Sequence, residues 1–447
     1  MEALKKRYSK INNNKSASVI SLGCPKNLVS SENLCGYFKE NGFTLTNLFS
    51  TPQPVDVVVI NTCSFIKSAR REAIDTIKKV LAYKDEGMCR NVVVTGCYAQ
   101  RFASELKEKL PDVDFISSNN SLSEMSNFLN LKSESNFKRI LSTNYYAYLK
   151  ISEGCDRSCS FCLIPSIKGK FKSRPISSIL DEASMLVSEY GIKELILIAQ
   201  DTESYGKDIL LKNGLITLTE KLSKINDLEW IRVMYLFPTE NLEFFRELLS
   251  IDKVVSYLDI PLQHSSAKIL KKMNRPTNVI NFTDNLMKLR SEFKNLAFRS
   301  TFIVGFPGED DVTFNELINF LKIYKFDRVG FFPYSKEKFT EAYSLTDQVS
   351  SAVKQERLKV AYETQKDIST EIRERFIGKS MDALIEGFLD KEGYAFGRTE
   401  RDAPEIDEGI IIKGNTEYLK KNVGEVIKVK ITDSIDYNLM GESETSS

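Results

Sequence analysis

Gly154-Cys155-Asp156-Arg157-Ser158-Cys159-Ser160-Phe161-Cys162 sets three thiols four and then three residues apart in one short polar loop. Such spacing lets one stretch of chain wrap three thiolates around a single iron–sulfur cube, for which cysteine sulfur is the ordinary ligand. A cube has four irons, so three ligands leave one iron open for chemistry. The Asp, Arg and Ser neighbours suit thiolates better than thiols packed in a core. The loop follows a strand-like segment at 147–152, and similar segments recur at 194–200, 230–235, 257–260, 299–304 and 328–332. Helical patterns at 177–190, 241–249 and 311–322 lie between them, so six β/α units predict an incomplete TIM-like barrel. Functional residues in such barrels come from the carboxyl ends of the strands. Phe161, Gln200, Asp201, Gln263 and Gly305 are the candidates there. Gly305 and Gly308 also read as simple turn residues, and His264 reads more simply as a core or rim residue than as a catalyst.

Upstream, short apolar strands at 18–22, 56–60 and 91–95 alternate with helical patterns at 28–41 and 67–83. Alternation of this kind predicts right-handed crossovers and a parallel sheet. Cys24, Cys63 and Cys97 each fall just past one of these strands. In open α/β sheets ligands sit outside the carboxyl ends of the strands, so these thiols are placed to converge on a second metal centre. Unrelated core cysteines would sit within strands, not three times just beyond them. Cys35 and Cys89, within or after helical segments, read as packing or surface thiols.

The remaining features narrow the class. At 447 residues the chain has room for two or three domains, and 42% hydrophobic with 28% charged residues is ordinary globular composition. No apolar run approaches the roughly 20 residues that span a bilayer, so no membrane association is expected. Residues 1–17 are rich in Lys and Asn and lack an apolar export segment, which predicts a flexible tail over 1–16 and reduced thiols in the cytoplasm. A single histidine argues against a His-based zinc site. A charged amphipathic pattern over 349–376 reads as a brace. Beyond it, short strands with Gly-rich turns predict a small antiparallel β-barrel of OB-like size. Residues 376–447 hold nine Lys and Arg against fifteen Asp and Glu, whereas the whole chain carries a formal charge of +1. An acidic barrel repels phosphate backbones and favours a basic partner.

The three-cysteine loop, with Phe161 before its last cysteine, resembles the radical S-adenosylmethionine superfamily. Ser21-Leu22-Gly23-Cys24-Pro25-Lys26-Asn27, Asn61-Thr62-Cys63, Thr95-Gly96-Cys97-Tyr98-Ala99-Gln100-Arg101 and Leu262-Gln263-His264-Ser265 extend the resemblance to its methylthiotransferase branch. That resemblance implies two [4Fe-4S] clusters. Cys155, Cys159 and Cys162 would hold the one that cleaves S-adenosylmethionine to a carbon radical, and Cys24, Cys63 and Cys97 an auxiliary cluster that carries the sulfur to be methylated and transferred. It also implies an α/β chain of an N-terminal parallel-sheet domain (17–140), a partial (β/α)6 radical core (141–375) and a terminal TRAM-like barrel (376–447).

Within the branch, the segment from Cys162 to Arg174, together with Gly397-Arg398-Thr399 and the run from Asp402 to Asp407, resembles the enzymes that methylthiolate the β-carbon of an aspartate in ribosomal protein twelve (uS12). The basic ribosomal protein is then the expected partner, with Asp402, Glu405 and Asp407 as substrate contacts, besides an electron donor and a sulfur source. Two departures stand out: Lys168 where the family usually has Arg, and Glu408 before Gly409. Both preserve charge character or lie in a turn. The competing readings are methylthiolation of a tRNA adenosine, which the acidic barrel disfavours, and a two-cluster electron carrier, which would not leave both cysteine sets one ligand short.

Overall fold

The computed structural model describes residues 15–51, 53–118, 121–132, 138–435 and 438–444. The tail expected over 1–16 lies almost wholly outside them. The chain divides into two compact units, 1–142 with 162–170, and 143–161 with 171–447.

The first unit is built on a five-stranded, all-parallel sheet in the order β2-β1-β3-β4-β5. Its strands are β1 (Ser16–Ser21), β2 (Thr44–Leu45), β3 (Val55–Thr62), β4 (Cys89–Gly96) and β5 (Phe115–Ile116). The helices are α1 (Pro25–Glu40), α2 (Lys67–Asp85), α3 (Cys97–Lys109), α4 (Leu122–Leu129) and the short α5 (Ile164–Lys168). The run Val57-Val58-Val59-Ile60 is buried on both sides because successive residues point to opposite faces. Val58, Ile60, Val92 and Val94 pack with Ala73, Ile77 and Val80 of α2. Val57, Val59 and Val93 pack on the other face with Leu34 and Phe38 of α1, Phe43 and Met125. Each large side chain buried in this way contributes about 1.5–3 kcal/mol. The segment ending the unit is tied down by a buried charge pair: Arg139 reaches Glu32 at 2.5 Å, and the Ser142 N–H and hydroxyl donate to the other carboxylate oxygen at 2.8 and 2.7 Å.

The second unit holds six parallel strands: β6 (Tyr146–Lys150), β9 (Glu194–Ile198), β10 (Trp230–Val233), β11 (Tyr257–Asp259), β12 (Ala297–Val304) and β13 (Arg328–Pro333). A small antiparallel pair, β7 (Ser152–Glu153) and β8 (Lys172–Ser173), flanks the cysteine loop. Strands β6, β9 and β10 form one ladder and β11, β12 and β13 another, linked by the bridge between Ile231 and Val254. This is the incomplete barrel that the alternation predicts. Helices α6 (Ile176–Tyr190), α7 (Gly214–Leu222), α8 (Leu242–Leu249), α9 (Ala267–Lys272), α10 (Val279–Glu292) and α11 (Asp311–Tyr324) lie between successive strands.

Helix α12 (Ser351–Glu374) packs along β12 and β13 and reaches the terminal barrel, the bracing role that its pattern suggests. That barrel is closed, with strands β14 (Ser380–Leu389), β15 (Tyr394–Thr399), β16 (Ile410–Lys413), β17 (Val426–Ile435) and β18 (Asn438–Ser443), and the short helix α13 (Thr416–Lys421). One pairing departs from the antiparallel expectation: β16 runs parallel to β18. Local strand and turn signals do not encode which distant strands become neighbours, so closure decides this pair.

Candidate metal centre

In the first unit the sheet order reverses between β1 and β3, and the crevice at the carboxyl ends beside such a switch point is the usual ligand site. Cys24 follows β1, Cys63 follows β3 and Cys97 follows β4. Cys24 occupies the N-cap of α1, where a side chain normally caps the helix, yet its sulfur makes no capping bond. Cys97 is the first residue of α3. Both sulfurs therefore stand at helix N-termini, where the peptide dipoles favour an anionic thiolate.

Two glycines shape the cradle. Gly23 has φ +93°, and a Cβ there would lie 2.5 Å from Cys63 Cβ and 2.9 Å from its sulfur. Gly96 has φ +89°, and its Cβ would meet Asn61 Oδ1 at 2.3 Å and Thr62 O at 2.5 Å. Only glycine lets these loops approach so closely. Asn27 stitches them together, its Nδ2 donating to Leu22 O at 2.9 Å and Thr62 O at 3.1 Å, with Oδ1 3.8 Å from Cys97 Sγ. Asn61 Nδ2 in turn donates to Asn27 O at 2.9 Å. Asn61 Oδ1 and the Ser64 hydroxyl are buried with no hydrogen-bond partner among the described residues. Burial pushes the Cys63 thiol up, and the neighbouring Cys24 charge adds to the rise. Bringing several sulfurs together as thiolates therefore calls for a cationic partner, and metal coordination is the form that deprotonates a thiol outright.

The second cysteine set begins after β7. Gly154 (φ +79°) turns the chain into the buried Cys155, whose sulfur accepts the Arg157 N–H at 3.4 Å. The loop is pinned from the end of α9. The Ser160 N–H donates to Met273 O at 3.0 Å and its hydroxyl to Lys272 O at 2.7 Å, while Asn274 Nδ2 donates to Ser158 O at 3.0 Å. Arg275 Nη1 lies 3.9 Å from Cys159 Sγ. Burial raises the Cys155 thiol, against the lowering effect of the Arg157 N–H. Beside this loop lies a cavity of about 350 Å³ lined by Asp156, Arg157, Phe171, Asp201, Ser204, Lys207 and Asp208.

Cys162 opens the segment that packs with the first unit, and its sulfur accepts the Ile164 N–H at 3.4 Å. Its neighbours Leu163 and Ile167 are buried against Cys97. Within that unit, then, the residue that follows the last cysteine of the loop shares a buried cluster with the last cysteine of the strand-end set.

No group of three His, Cys, Asp or Glu among the described residues is arranged to hold a single metal ion. A cube asks for a different arrangement, one thiolate per iron. The sulfur donors, the glycine cradle and the unsatisfied polar atoms beside Cys63 fit such a group. None of the eight cysteines forms a disulfide. Cys35 is half-buried in α1. Cys89 follows α2, opens β4 and is buried with its Sγ 3.8 Å from Val80 O, so it is a packing thiol.

The expected cofactor contacts sort unevenly. Phe161 meets Phe306 edge-on with ring centroids 6.5 Å apart. Gln200 Nε2 donates to Glu153 Oε1 at 2.9 Å, leaving its buried Oε1 without a partner among the described residues. Asp201 binds Arg157 at 2.7 Å through one oxygen while its other is buried without a partner among them. Gln263, at φ +74°, extends the ladder by bonding Thr301 O and the Ile303 N–H. Gly305 has another use: the space of its missing side chain is filled by Lys354, 2.3 Å from where a Cβ would stand, and its N–H donates to Glu309. His264 is fully buried. Its Nδ1 accepts the Ser266 N–H at 2.9 Å, so the ring proton of the neutral form sits on Nε2, 3.2 Å from Glu309.

The carboxylates expected to meet a basic partner are placed elsewhere. The segment from Thr399 to Glu408 seats the terminal barrel against the amino ends of the radical-core strands, away from the cysteine loop at the carboxyl ends. Asp402 is 1% exposed and pairs with Arg328 at 2.6 Å. Asp407 accepts the Tyr257 hydroxyl at 2.6 Å and lies 3.7 Å from Arg299. Glu405, though exposed, accepts from Tyr146 and Tyr148 at 3.1 and 3.3 Å. Asp402 and Asp407 are thus internal counter-ions with no surface for a substrate, a correction that net charge could not reveal. The same seam contains Glu194, fully buried and ion-paired at 2.7 Å with both Arg232 and Arg398.

Known proteins sharpen the picture. Residues 149–321 match the Radical SAM superfamily, 377–443 the TRAM domain, and 16–118 an uncharacterized protein family designated UPF0004. Among solved structures, the radical S-adenosylmethionine methyltransferase TsrM from Kitasatospora setae, with cobalamin and a [4Fe-4S] cluster bound, superposes with a TM-score of 0.50 at 14% identity. The match covers 82% of this chain and 79% of that one, a likeness of fold alone. Fold, cysteine loop and superfamily match together define a radical S-adenosylmethionine enzyme, a transferase dependent on iron–sulfur chemistry.

Relatives named ribosomal protein uS12 methylthiotransferase RimO are 41% identical in Clostridium novyi (95% of this chain, 97% of the relative) and 43% identical in Clostridium kluyveri (95% and 97%). Another, from Desulforamulus reducens, is 39% identical over 96% of this chain and 99% of the relative. The chain belongs to this RimO family of methylthiotransferases. Among the described residues no helix is long and apolar enough to cross a membrane.

Residues outside the sequence-level candidates also build the site. Asn27 and Asn61 stand inside the quoted cysteine motifs, so proximity was their available signal. Arg275 and Phe237, whose ring lies beside the Arg157 and Arg275 guanidinium groups, carry none, because only folding brings them to the Cys159 loop.

Proposed function

We propose that this protein attaches a methylthio group to the β-carbon of an aspartate in ribosomal protein uS12, using two [4Fe-4S] clusters and S-adenosylmethionine in the cytoplasm. Cys155, Cys159 and Cys162 would hold the cluster that binds S-adenosylmethionine, and Cys24, Cys63 and Cys97 the auxiliary cluster. The bound groups supply reductive cleavage of a sulfonium and a sulfur to be methylated, chemistry no side chain provides. The protein's part is to bind, orient and exclude water. Gly23 and Gly96 let the auxiliary loops close; Asn27 and Asn61 fix them; the end of α9 fixes the Cys155–Cys159 turn. Phe161, Gln200, Asp201 and Gln263 are the proposed S-adenosylmethionine surroundings, at strand ends near that turn. Domains of 17–140 and 141–375 would carry the auxiliary cluster and the radical chemistry, and 376–447 would form the TRAM-like barrel.

The observation that carries this reading is the packing of Leu163 and Ile167, just beyond Cys162, against Cys97. Cys162, a proposed ligand of the first cluster, thereby lies in the same compact unit as Cys97, a proposed ligand of the auxiliary one. Anaerobic protein should contain about eight irons per chain. With S-adenosylmethionine, a low-potential reductant and a sulfide source, it should convert a uS12 peptide to its methylthio form by mass spectrometry. Cys155→Ala should abolish cleavage of S-adenosylmethionine, while Cys24→Ala should keep cleavage and lose transfer. Normal methylthiolation by Cys24→Ala would overturn the auxiliary assignment, and modification of tRNA in place of the peptide would overturn the substrate.

A further inference from the structure

We propose that Arg275 is a positioning residue that sets the reduction potential of the cluster at Cys155, Cys159 and Cys162, through its hydrogen bond to the Cys159 sulfur. This rests on the reading above that those thiolates hold a cluster. Arg275 lies just beyond α9, on the same turn that pins the cysteine loop. Its Nη1 donates toward Cys159 Sγ over 3.9 Å and its Nη2 donates to Pro261 O. Its Nε is shut off from solvent without a hydrogen-bond partner among the described residues. The guanidinium stands 4.1 Å from the centroid of Phe237. Arg157 stands 3.7 Å from the same ring, but the two cations are balanced differently. Arg157 is matched by Asp201 at 2.7 Å and Glu203 at 3.1 Å, whereas among the described residues no carboxylate forms an ion pair with Arg275.

A desolvated cation facing only a carbonyl, an aromatic ring and a neutral thiol would be costly. Among the described residues Asp201 also acts on Arg275 through charge, but it is bonded to Arg157, and the sulfur of Cys159 is the direct hydrogen-bond partner able to carry negative charge. Hydrogen bonds to cluster sulfurs and nearby positive charge both stabilise the more negative, reduced cluster, and so raise its potential. The step is one electron from a low-potential one-electron donor to the cluster. No proton moves, because the guanidinium stays protonated throughout.

The test uses the full chain in a Cys24→Ala, Cys63→Ala, Cys97→Ala background, so that only one cluster is present. Iron content is measured first, then the midpoint potential by electron paramagnetic resonance during a redox titration. Arg275→Gln should retain the iron and shift the reduction equilibrium at least tenfold toward the oxidised form, about 59 mV for one electron. Arg275→Lys, which keeps the charge, should shift it less. Loss of iron in Arg275→Gln but not in Arg275→Lys also supports a charge role. An unchanged midpoint in iron-replete Arg275→Gln overturns the proposal, as does loss of iron in both variants, which would make Arg275 a packing residue. Lack of iron in the parent background would instead overturn the cluster assignment, and the proposal with it.

Discussion

Replacing Glu194 by Gln probes the seam between the radical core and the terminal barrel. Glu194 opens β9 and forms ion pairs at 2.7 Å with Arg232 of β10 and at 2.7 Å with Arg398 of β15, all three side chains being at most 4% exposed. Burial pushes the carboxyl pKa up, but the two guanidinium charges outweigh it and hold the carboxyl below its usual range. An amide of the same shape keeps hydrogen-bonding oxygen but removes the charge, leaving buried guanidinium groups undercompensated. Breaking one buried pair costs about 3–5 kcal/mol, and that range is expected for Glu194→Gln. Arg398→Met removes one of the stranded charges, so the double variant should lose less than the sum of the singles by about 0.5–3 kcal/mol. Urea unfolding followed by hydrogen exchange at β9 and β15 reads both quantities. Because the folded pKa is depressed, the stabilisation is present above the unfolded carboxylate pKa and is lost as pH falls through the lower folded value. The wild-type seam should therefore open selectively in acid, below about pH 4. A loss under about 1 kcal/mol with additive singles would refute the reasoning, since surface pairs behave that way.

Gly96→Ala should strip the auxiliary iron while sparing the iron at Cys155, because a Cβ at φ +89° collides with Asn61 and Thr62; roughly half the iron, with cleavage of S-adenosylmethionine retained, is the expected outcome. Asp402→Asn should cost about 3–5 kcal/mol of stability yet leave uS12 peptide affinity unchanged in a direct titration, since Asp402 faces Arg328 and not solvent. Cys35 and Cys89, whose thiols burial pushes up to about 11, should resist alkylation at pH 8 in the folded chain, as peptide mass mapping would show.

How much of this was legible in the chain itself varies by feature. The parallel strands of the first unit announce themselves as continuous β-branched runs such as 56–60, because burial on both faces leaves no polar alternation. The placement of Cys24, Cys63 and Cys97 past strand ends follows from the same reading. The acidic segment misled for a definite reason. Composition counts Asp402 and Asp407 as surface charge, but their partners, Arg328 and Arg299, lie 74 and more than 100 residues away in the chain. Gly305 likewise read as a strand-end candidate, whereas α12 sends Lys354 into the space beside it. Cys89 lies beyond a helix, as read, but also opens β4, because that strand begins earlier than its apolar run.

The sequence by itself determined the chemistry on offer: three thiols in one loop, three more at successive strand ends, and the alternation that makes both supporting sheets parallel. Local spacing and periodicity suffice for that, since each signal spans a few residues. Tertiary structure alone decided the strand order that puts Cys24 and Cys63 beside the switch point, the parallel closure of β16 on β18, the inward turn of Asp402 and Asp407, and the arrival of Arg275 at Cys159. Each of these joins groups far apart in the chain, and such pairings are selected by the burial and charge balance of the whole fold.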